Sequence, residues 1–183
     1  MVLLKMERCS FVNEKNIKYI EYHDHEWGVV RKDDRYLFEM LVLESFQAGL
    51  SWECILNKRE NIGAAMDDFD YEKIALYDDK KVLELLSNRG IIRNKLKIMA
   101  IIKNAQIFIE IREEYGSFSK YIWAYTDNKI IYHEYLTKNS LSDKISNDLY
   151  RRGMRFVVST IIYSYLQAIG IINDHEKNCY LYE

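Results

Sequence analysis

The chain has 183 residues, 49% apolar, 14% aromatic and 30% charged, with 26 Lys+Arg against 28 Asp+Glu for a net charge of −2. That balance fits one soluble globular unit and excludes both intrinsic disorder and a uniformly basic nucleic-acid coat, while leaving room for a local basic face. The absence of Pro and the presence of only 7 Gly weigh against a turn-dense β-sandwich, and three cysteines (Cys9, Cys54, Cys179) cannot form a fully paired disulfide framework.

Residues 1–9 carry a short apolar stub and then Lys5, Glu7 and Arg8, which is not a secretory-signal pattern, so a reducing cytoplasm is the expected setting. From there helical spacing dominates. Asp33 or Asp34 caps a helix over 34–49, with Leu37, Met40, Leu41, Leu43, Phe46 and Ala48 apolar. Ser51 caps the next, carrying Trp52, Ile55 and Leu56. Asp70 caps a short helix over 71–76. Asp78 or Asp79 opens one through Val82, Leu85 and Leu86, which Gly90 stops in the left-handed conformation. A long helix over 94–115 places Leu96, Met99, Ile102, Ala105 and Ile109 on one stripe. Ser117 caps a short helix through Trp123. Residues 126–141 are polar, with an extended piece at 130–132. Ser142 caps a helix to Arg152, which Gly153 ends, and a last helix covers 155–169. The longest apolar run, 156–172, is broken by Ser159, Thr160, Ser164, Gln167 and Gly170, so it reads as a core helix rather than a membrane span. The pattern predicts an all-α fold, a compact orthogonal array of short helices.

Three constellations could carry chemistry. Cys9 and His23 near one end, with His175 and Cys179 near the other, make a Cys₂His₂ set suited to structural zinc, and His175-x₃-Cys179 puts both side chains on one face of a helical turn. The spacing of Cys9 and His23 is not a usual finger spacing, so two unrelated buried cysteines and two surface histidines stand as the alternative. His23, His25 and Glu26 admit a hydrolytic metal site, but residues two apart share a face only in extended chain, which favours His23 alone.

The second is an acid among aromatics. Phe11, Tyr22, Trp27, Phe46 and Trp52 crowd the first third of the chain, and Glu44 shares a helix face with Leu37, Leu41 and Ala48. Burying a carboxylate costs several kcal/mol unless it is paired, and sites that bear the cost are often functional. A structural Glu bonded to a buried N–H is the plain alternative. The third is basic: Arg89, Arg93, Lys95, Lys97 and Lys103 stand in 88–104 without an acid, around the Gly90-Ile91-Ile92-Arg93 connection. Such a hairpin presents backbone N–H groups to a phosphate. Arg151, Arg152 and Arg155 form a second knot. For either, an αα-hairpin with solvated charges is the alternative.

Several blocks then resemble a known family. Met6-Glu7-Arg8-Cys9, Tyr22-His23-Asp24-His25-Glu26-Trp27-Gly28-Val29, Leu37-Phe38-Glu39-Met40, Gln47-Ala48-Gly49-Leu50-Ser51-Trp52, Lys58-Arg59-Glu60-Asn61, Gly90-Ile91-Ile92-Arg93, Arg152-Gly153 with Phe156-Val157, and Asn173-Asp174-His175 resemble, in order, DNA-3-methyladenine glycosylase I. The resemblance spans nearly the whole chain. It implies a helix–hairpin–helix glycosylase in one unit, 1–183, with a zinc-binding subdomain from 1–32 and 165–183 and a helical domain over 33–164 whose hairpin lies near 88–97. It implies one structural zinc on Cys9, His23, His175 and Cys179. It places the base pocket on Tyr22, Glu44 and Trp52, with Trp27 alongside, Phe11 where the family usually has Trp, and Glu44 as the catalytic group. It implies DNA contacts from Gly90, Arg93, Lys95 and Lys97. The implied reaction hydrolyses the N-glycosidic bond of 3-methyladenine in double-stranded alkylated DNA, releasing the free base from a monomeric cytoplasmic enzyme without a lyase step. A zinc-stapled module that binds lesions without cutting is the competing expectation. Phe46 and Leu96 depart from residues usual in the family, Gln and Gly, and predict a drier pocket wall and a changed phosphate approach. Cys54 is left as a buried small hydrophobe.

Overall fold

The computed structural model describes residues 6–183, so the apolar stub at 1–5 lies outside the described residues. Short polar side chains start most of the helices. Asn16 caps α1 (Ile17–His25), Asp33 α2 (Asp34–Gln47) and Ser51 α3 (Trp52–Ala65), each accepting a first-turn backbone N–H. Asp70, Asp78, Asn94, Ser117 and Asn139 do the same for α4 (Tyr71–Ile74), α5 (Asp79–Ser87), α6 (Lys95–Tyr115), α7 (Phe118–Ala124) and α8 (Ser140–Arg152). Each such cap contributes about 1 kcal/mol. Among the α-helices of the described residues, only α9 (Ser159–Ala168) begins without a side-chain cap. A 3₁₀ turn, Asp67–Phe69, links α3 to α4.

Helix α2 is the hub. It packs on α3, α6, α7 and α9, and is buried from Leu37 to Phe46 except at Glu39. A helix apolar all round has no solvent face to choose, so neighbours must enclose it. Its first residue, Asp34, accepts Phe118 N (3.1 Å) and Ser119 N (2.9 Å) at the start of α7, and Arg112 Nε of α6 (3.0 Å). Phe108 stacks on Phe118 at 4.1 Å beside it.

The chain ends come together around α9. Gly28 N donates to Gln167 O and Arg31 N to Ile169 O, both at 3.0 Å. Strand β2 (Ile172–Asn173) pairs in parallel with β1 (Ile131–Tyr132), and Tyr180 N donates to Glu7 O at 2.8 Å. Gly170 makes this junction. Its φ is +76°, and a Cβ there would sit 2.4 Å from the Val29 carbonyl carbon.

The all-helical expectation holds apart from that small sheet, and several local expectations do not. Helix α1 is present although its sequence lacks an aliphatic stripe. Asn139 rather than Ser142 caps α8; Ser142 is the reciprocal partner in a capping box. Helix α9 starts at Ser159, because Phe156 takes a φ of +56° and interrupts the predicted run. Gly90 is not left-handed; a Cβ there would sit close to Asn88 Oδ1 (3.1 Å) and Asn61 Cβ (3.3 Å), so a larger residue would have to push those side chains back slightly. In α6 the stripe is rotated: Leu96 and Met99 are exposed, and Lys97 is buried. No helix among the described residues is long and apolar enough to cross a membrane.

Gly170→Ala combines a left-handed Cβ with a clash against backbone. It is expected to lower unfolding free energy by about 3 kcal/mol, read as a lower urea midpoint. An unchanged midpoint would mean the 28–31 junction yields freely.

Candidate functional site

The metal-type residues predicted from opposite ends of the sequence do converge. Donor atoms of Cys9, His23, His175 and Cys179, all buried, lie within 4.8 Å of one another. Cys9 Sγ and Cys179 Sγ are each 3.5 Å from His175 Nδ1, and Cys179 Sγ is 3.5 Å from His23 Nε2. A tetrahedral ion with two thiolates and two imidazoles has sulfur–nitrogen edges of about 3.5–3.6 Å. The remaining ring nitrogens are committed elsewhere: His23 Nδ1 to Asp24 Oδ1 at 2.8 Å, His175 Nε2 to Trp27 O at 3.2 Å. Those bonds leave the lone pairs of His23 Nε2 and His175 Nδ1 facing the sulfurs, as ligation needs. Arg8 clamps Asp24 through Nε (2.8 Å) and Nη2 (2.7 Å). Burial alone would raise the Asp24 carboxyl; the Arg8 and His23 hydrogen bonds hold it down at about 2. Burial pushes the Cys9 thiol up to about 12 and the His175 imidazole down to about 4. A dication would offset the first and suit the second, because it binds thiolate and neutral imidazole. The four residues therefore fit a metal. His175 and Cys179 reach it across a turn, with Cys179 N on Glu176 O at 2.7 Å, rather than on a helix.

The alternative set does not assemble. His25 is exposed and 3.5 Å from Glu21. Glu26 is held by Arg59 Nη1 (2.7 Å) and Tyr36 OH (2.9 Å), while Arg59 Nε binds Glu39 (2.7 Å).

Beside the cluster lies a cavity of about 270 Å³. All five predicted pocket residues line it: Phe11, Tyr22, Trp27, Glu44 and Trp52. Glu44 comes from α2, with Oε2 buried and without a hydrogen-bond partner; Trp52 Nε1, from the start of α3, is likewise buried and unpartnered. The Tyr22 and Trp52 rings sit 5.2 Å apart. Phe11 packs edge-on to Trp27 at 4.9 Å, and Trp27 stacks on His23 at 6.2 Å, so one indole joins pocket to cluster. Burial pushes the Glu44 carboxyl well above its ordinary range, and burial and then Glu44 raise Tyr22.

Tyr19, Gln47, Tyr135, Ser164, Gln167, Asp174 and Glu176 also line the cavity and were not anticipated. Tyr19 is three residues before Tyr22, a relation visible only once α1 is recognised. Asp174 is saturated: it accepts Tyr163 OH (2.7 Å), Gln167 Nε2 (2.8 Å), Glu134 N (2.8 Å) and Tyr135 N (3.2 Å). Three carboxylates and no Lys or Arg are among the described lining residues. Aromatic faces with an unpartnered acid suit a flat cation.

The basic connection is only partly as expected. Arg93 and Lys95 are exposed, and Gly90 is tied by its N–H to Asn88 Oδ1 (2.8 Å) and by its carbonyl to Lys58 Nζ (3.3 Å). Lys97 turns inward: its ammonium donates to Phe46 O (2.8 Å) and Ala48 O (2.5 Å), so it is withdrawn from any surface contact. Phe46 is core rather than pocket wall, and Cys54 is half-buried. Arg152 is spent on Glu114 (2.6 Å) and Asp148 (3.0 Å), and Arg155 on its own loop's carbonyls.

A helical protein with an acid-floored aromatic pocket and an exposed basic connection between two helices has the build of a base-excising glycosylase. The family model for methyladenine glycosylase matches residues 12–182. The DNA-3-methyladenine glycosylase 1 of Escherichia coli K12 is 41% identical over 97% of each chain. A crystal structure of a 3-methyladenine DNA glycosylase I superposes with a TM-score of 0.93 at 40% identity, covering 97% of this chain and 100% of that one. A variant of another 3-methyladenine DNA glycosylase I, solved in complex with 3-methyladenine, gives 0.91 at 34%, covering 96% and 97%. The chain belongs to the methyladenine glycosylase family.

The raised Glu44 carboxyl has a consequence for stability. Below about pH 4 the group is protonated both folded and unfolded. As pH rises, the unfolded chain releases the proton while the folded one retains it, so Glu44 increasingly destabilises the fold until its own raised pKa is passed. Glu44→Gln is expected to raise Tm by a few degrees at pH 7 and to leave it nearly unchanged at pH 4. An equal shift at both pH values would contradict the burial of an unpartnered acid.

Proposed function

We propose that the protein hydrolyses the N-glycosidic bond of 3-methyladenine in double-stranded alkylated DNA, releasing 3-methyladenine and leaving an abasic site. The observation that carries this reading is the pairing of two buried, unpartnered groups, Glu44 Oε2 and Trp52 Nε1, in one aromatic pocket. A polar group left so is a binding site awaiting its ligand's edge. A base inside a duplex is unreachable, so the nucleotide is extruded into the cavity. Methylation at N3 makes adenine cationic in DNA. Tyr22 and Trp52 present aromatic surface to the cation, worth about 0.5–2 kcal/mol each, with Trp27 and Phe11 closing the side. The cation draws Glu44 into its ionised form, and the carboxylate then accepts from the exocyclic amine. Neutral adenine gains none of this, so the pocket selects damage.

The same charge makes the base a good leaving group. The C1′–N bond breaks with its electron pair passing to the base, water adds to C1′ as the oxygen nucleophile, and its proton leaves to solvent. The protein supplies position and dryness more than acid catalysis. Glu44 is the catalytic group in this scheme. Arg93 and Lys95, with the Gly90 connection, take the DNA phosphates. Cys9, His23, His175 and Cys179 would hold one zinc, which when bound supplies a closed structural staple rather than an open catalytic position. The enzyme acts as a monomer in the cytoplasm.

Base release tests this. DNA treated with a methylating agent should yield free 3-methyladenine and no 7-methylguanine by chromatography. Glu44→Ala and Trp52→Ala should each lower the single-turnover rate on the order of 10²-fold. No release from folded, zinc-replete protein would leave the lesion-binding module as the better reading. Metal analysis should find one zinc per chain, and its chelation should lower Tm by roughly 10 °C. Loss of activity at unchanged Tm would contradict a structural role.

A further inference from the structure

The segment between β1 and α8 lies against the pocket in an uncommon conformation. His133 and Tyr135 have φ of +58° and +50°, which L residues keep only when their surroundings over-determine it, most often at functional sites. The ties are specific. His133 N donates to Asn173 O at 3.0 Å. Asp174 Oδ1 accepts Glu134 N and Tyr135 N, and Leu136 N donates to Tyr163 OH at 3.3 Å. The Tyr135 hydroxyl donates to His175 O at 3.0 Å. The His133 ring lies parallel to both Tyr182 (4.3 Å) and Tyr135 (5.8 Å). So anchored, a ring that lines the Glu44 cavity still keeps half its surface open to solvent.

We propose that Tyr135 is the sugar-facing wall of the pocket: its ring covers the deoxyribose of the extruded nucleotide and so governs how the base is handled while still joined to DNA. This rests on the reading that the pocket takes a 3-methyladenine nucleotide. Depth sets the assignment. Glu44 is at the buried end, so the amine edge of the base points inward and the glycosidic bond points to the mouth, where Tyr135 stands. The hydroxyl is already taken by His175 O, which leaves the ring face as the part on offer. The sugar carries growing positive charge at C1′ as the glycosidic bond breaks, and an aromatic face attracts it. Nothing in this role involves the free base once released.

Two variants separate the ring from its hydroxyl. Tyr135→Phe keeps the face and loses the bond to His175 O; Tyr135→Leu keeps bulk and loses the face. Each is assayed for single-turnover 3-methyladenine release from methylated duplex and for calorimetric affinity toward free 3-methyladenine. The expected result is near-wild-type release for Tyr135→Phe and a loss of about tenfold for Tyr135→Leu. Free-base affinity and zinc content should stay within about twofold of wild type for both. Release by Tyr135→Leu at the wild-type rate would overturn the assignment. A matching loss of free-base affinity would overturn it too, making Tyr135 a base wall or a structural support. Equal slowing by Tyr135→Phe would shift the role to the hydroxyl and its hold on His175. Failure of the wild-type protein to release base would instead sink the reading beneath it.

Discussion

Glu44 enters the interior from α2 with Oε2 buried, facing the cavity, and without a protein hydrogen-bond partner. A buried acid of this kind works against folding, so the hub helix that carries it must be enclosed on nearly every side by α3, α6, α7 and α9. Lys97 adds to that enclosure from α6. Its ammonium binds the carbonyls of Phe46 and Ala48 where α2 ends, a favourable place for a cation, and so fixes the short loop that leads from Glu44 to Trp52. The acid and the indole that share the pocket are thus held in register from beneath.

The opposite wall depends on the two chain ends. Trp27 faces the cavity while its ring stacks on His23 and its carbonyl receives His175. Asp174 and Glu176 flank His175 and face the cavity as well; Glu176 also accepts Ser10 N and Ser10 Oγ at 2.7 and 2.6 Å. A metal in the Cys9–His23–His175–Cys179 cluster would therefore act on the pocket mechanically, by stopping the ends from separating. Gly170 and the 28–31 junction serve the same end by another route.

Much of this was legible in the sequence where the signal is local. Asp33, Ser51, Asp70 and Ser117 announce helix starts because a short acceptor placed before an apolar repeat has few other uses. The four metal-type residues and the acid in the α2 run were legible by residue type, and the family blocks supplied their grouping. What was not legible depends on tertiary context. Lys97 reads as one more surface cation in a basic run, and only its phase with Ala100, Ile101 and Asn104 points it inward. Gly90 looks like a helix stop because glycine serves both bends and close approaches, and here the close side chains are those of Asn88 and Asn61. Tyr135 lies in a polar stretch with no periodicity, and its place is set by Asp174 and His175, some forty residues on.

In the reading proposed above, burial raises the Glu44 carboxyl in the free protein and a cationic base in the pocket lowers it again, the proton leaving to solvent. Carbon NMR of the Glu44 carboxyl, assigned by difference with Glu44→Gln, measures this directly in the presence and absence of a 3,9-dialkyladeninium ion, a fixed cation with no sugar to lose. The expected result is a titration midpoint well above that of an exposed glutamate in the free protein, and a clear drop in that midpoint when the cation is bound. A midpoint in the ordinary carboxylate range, unmoved by the cation, would contradict it.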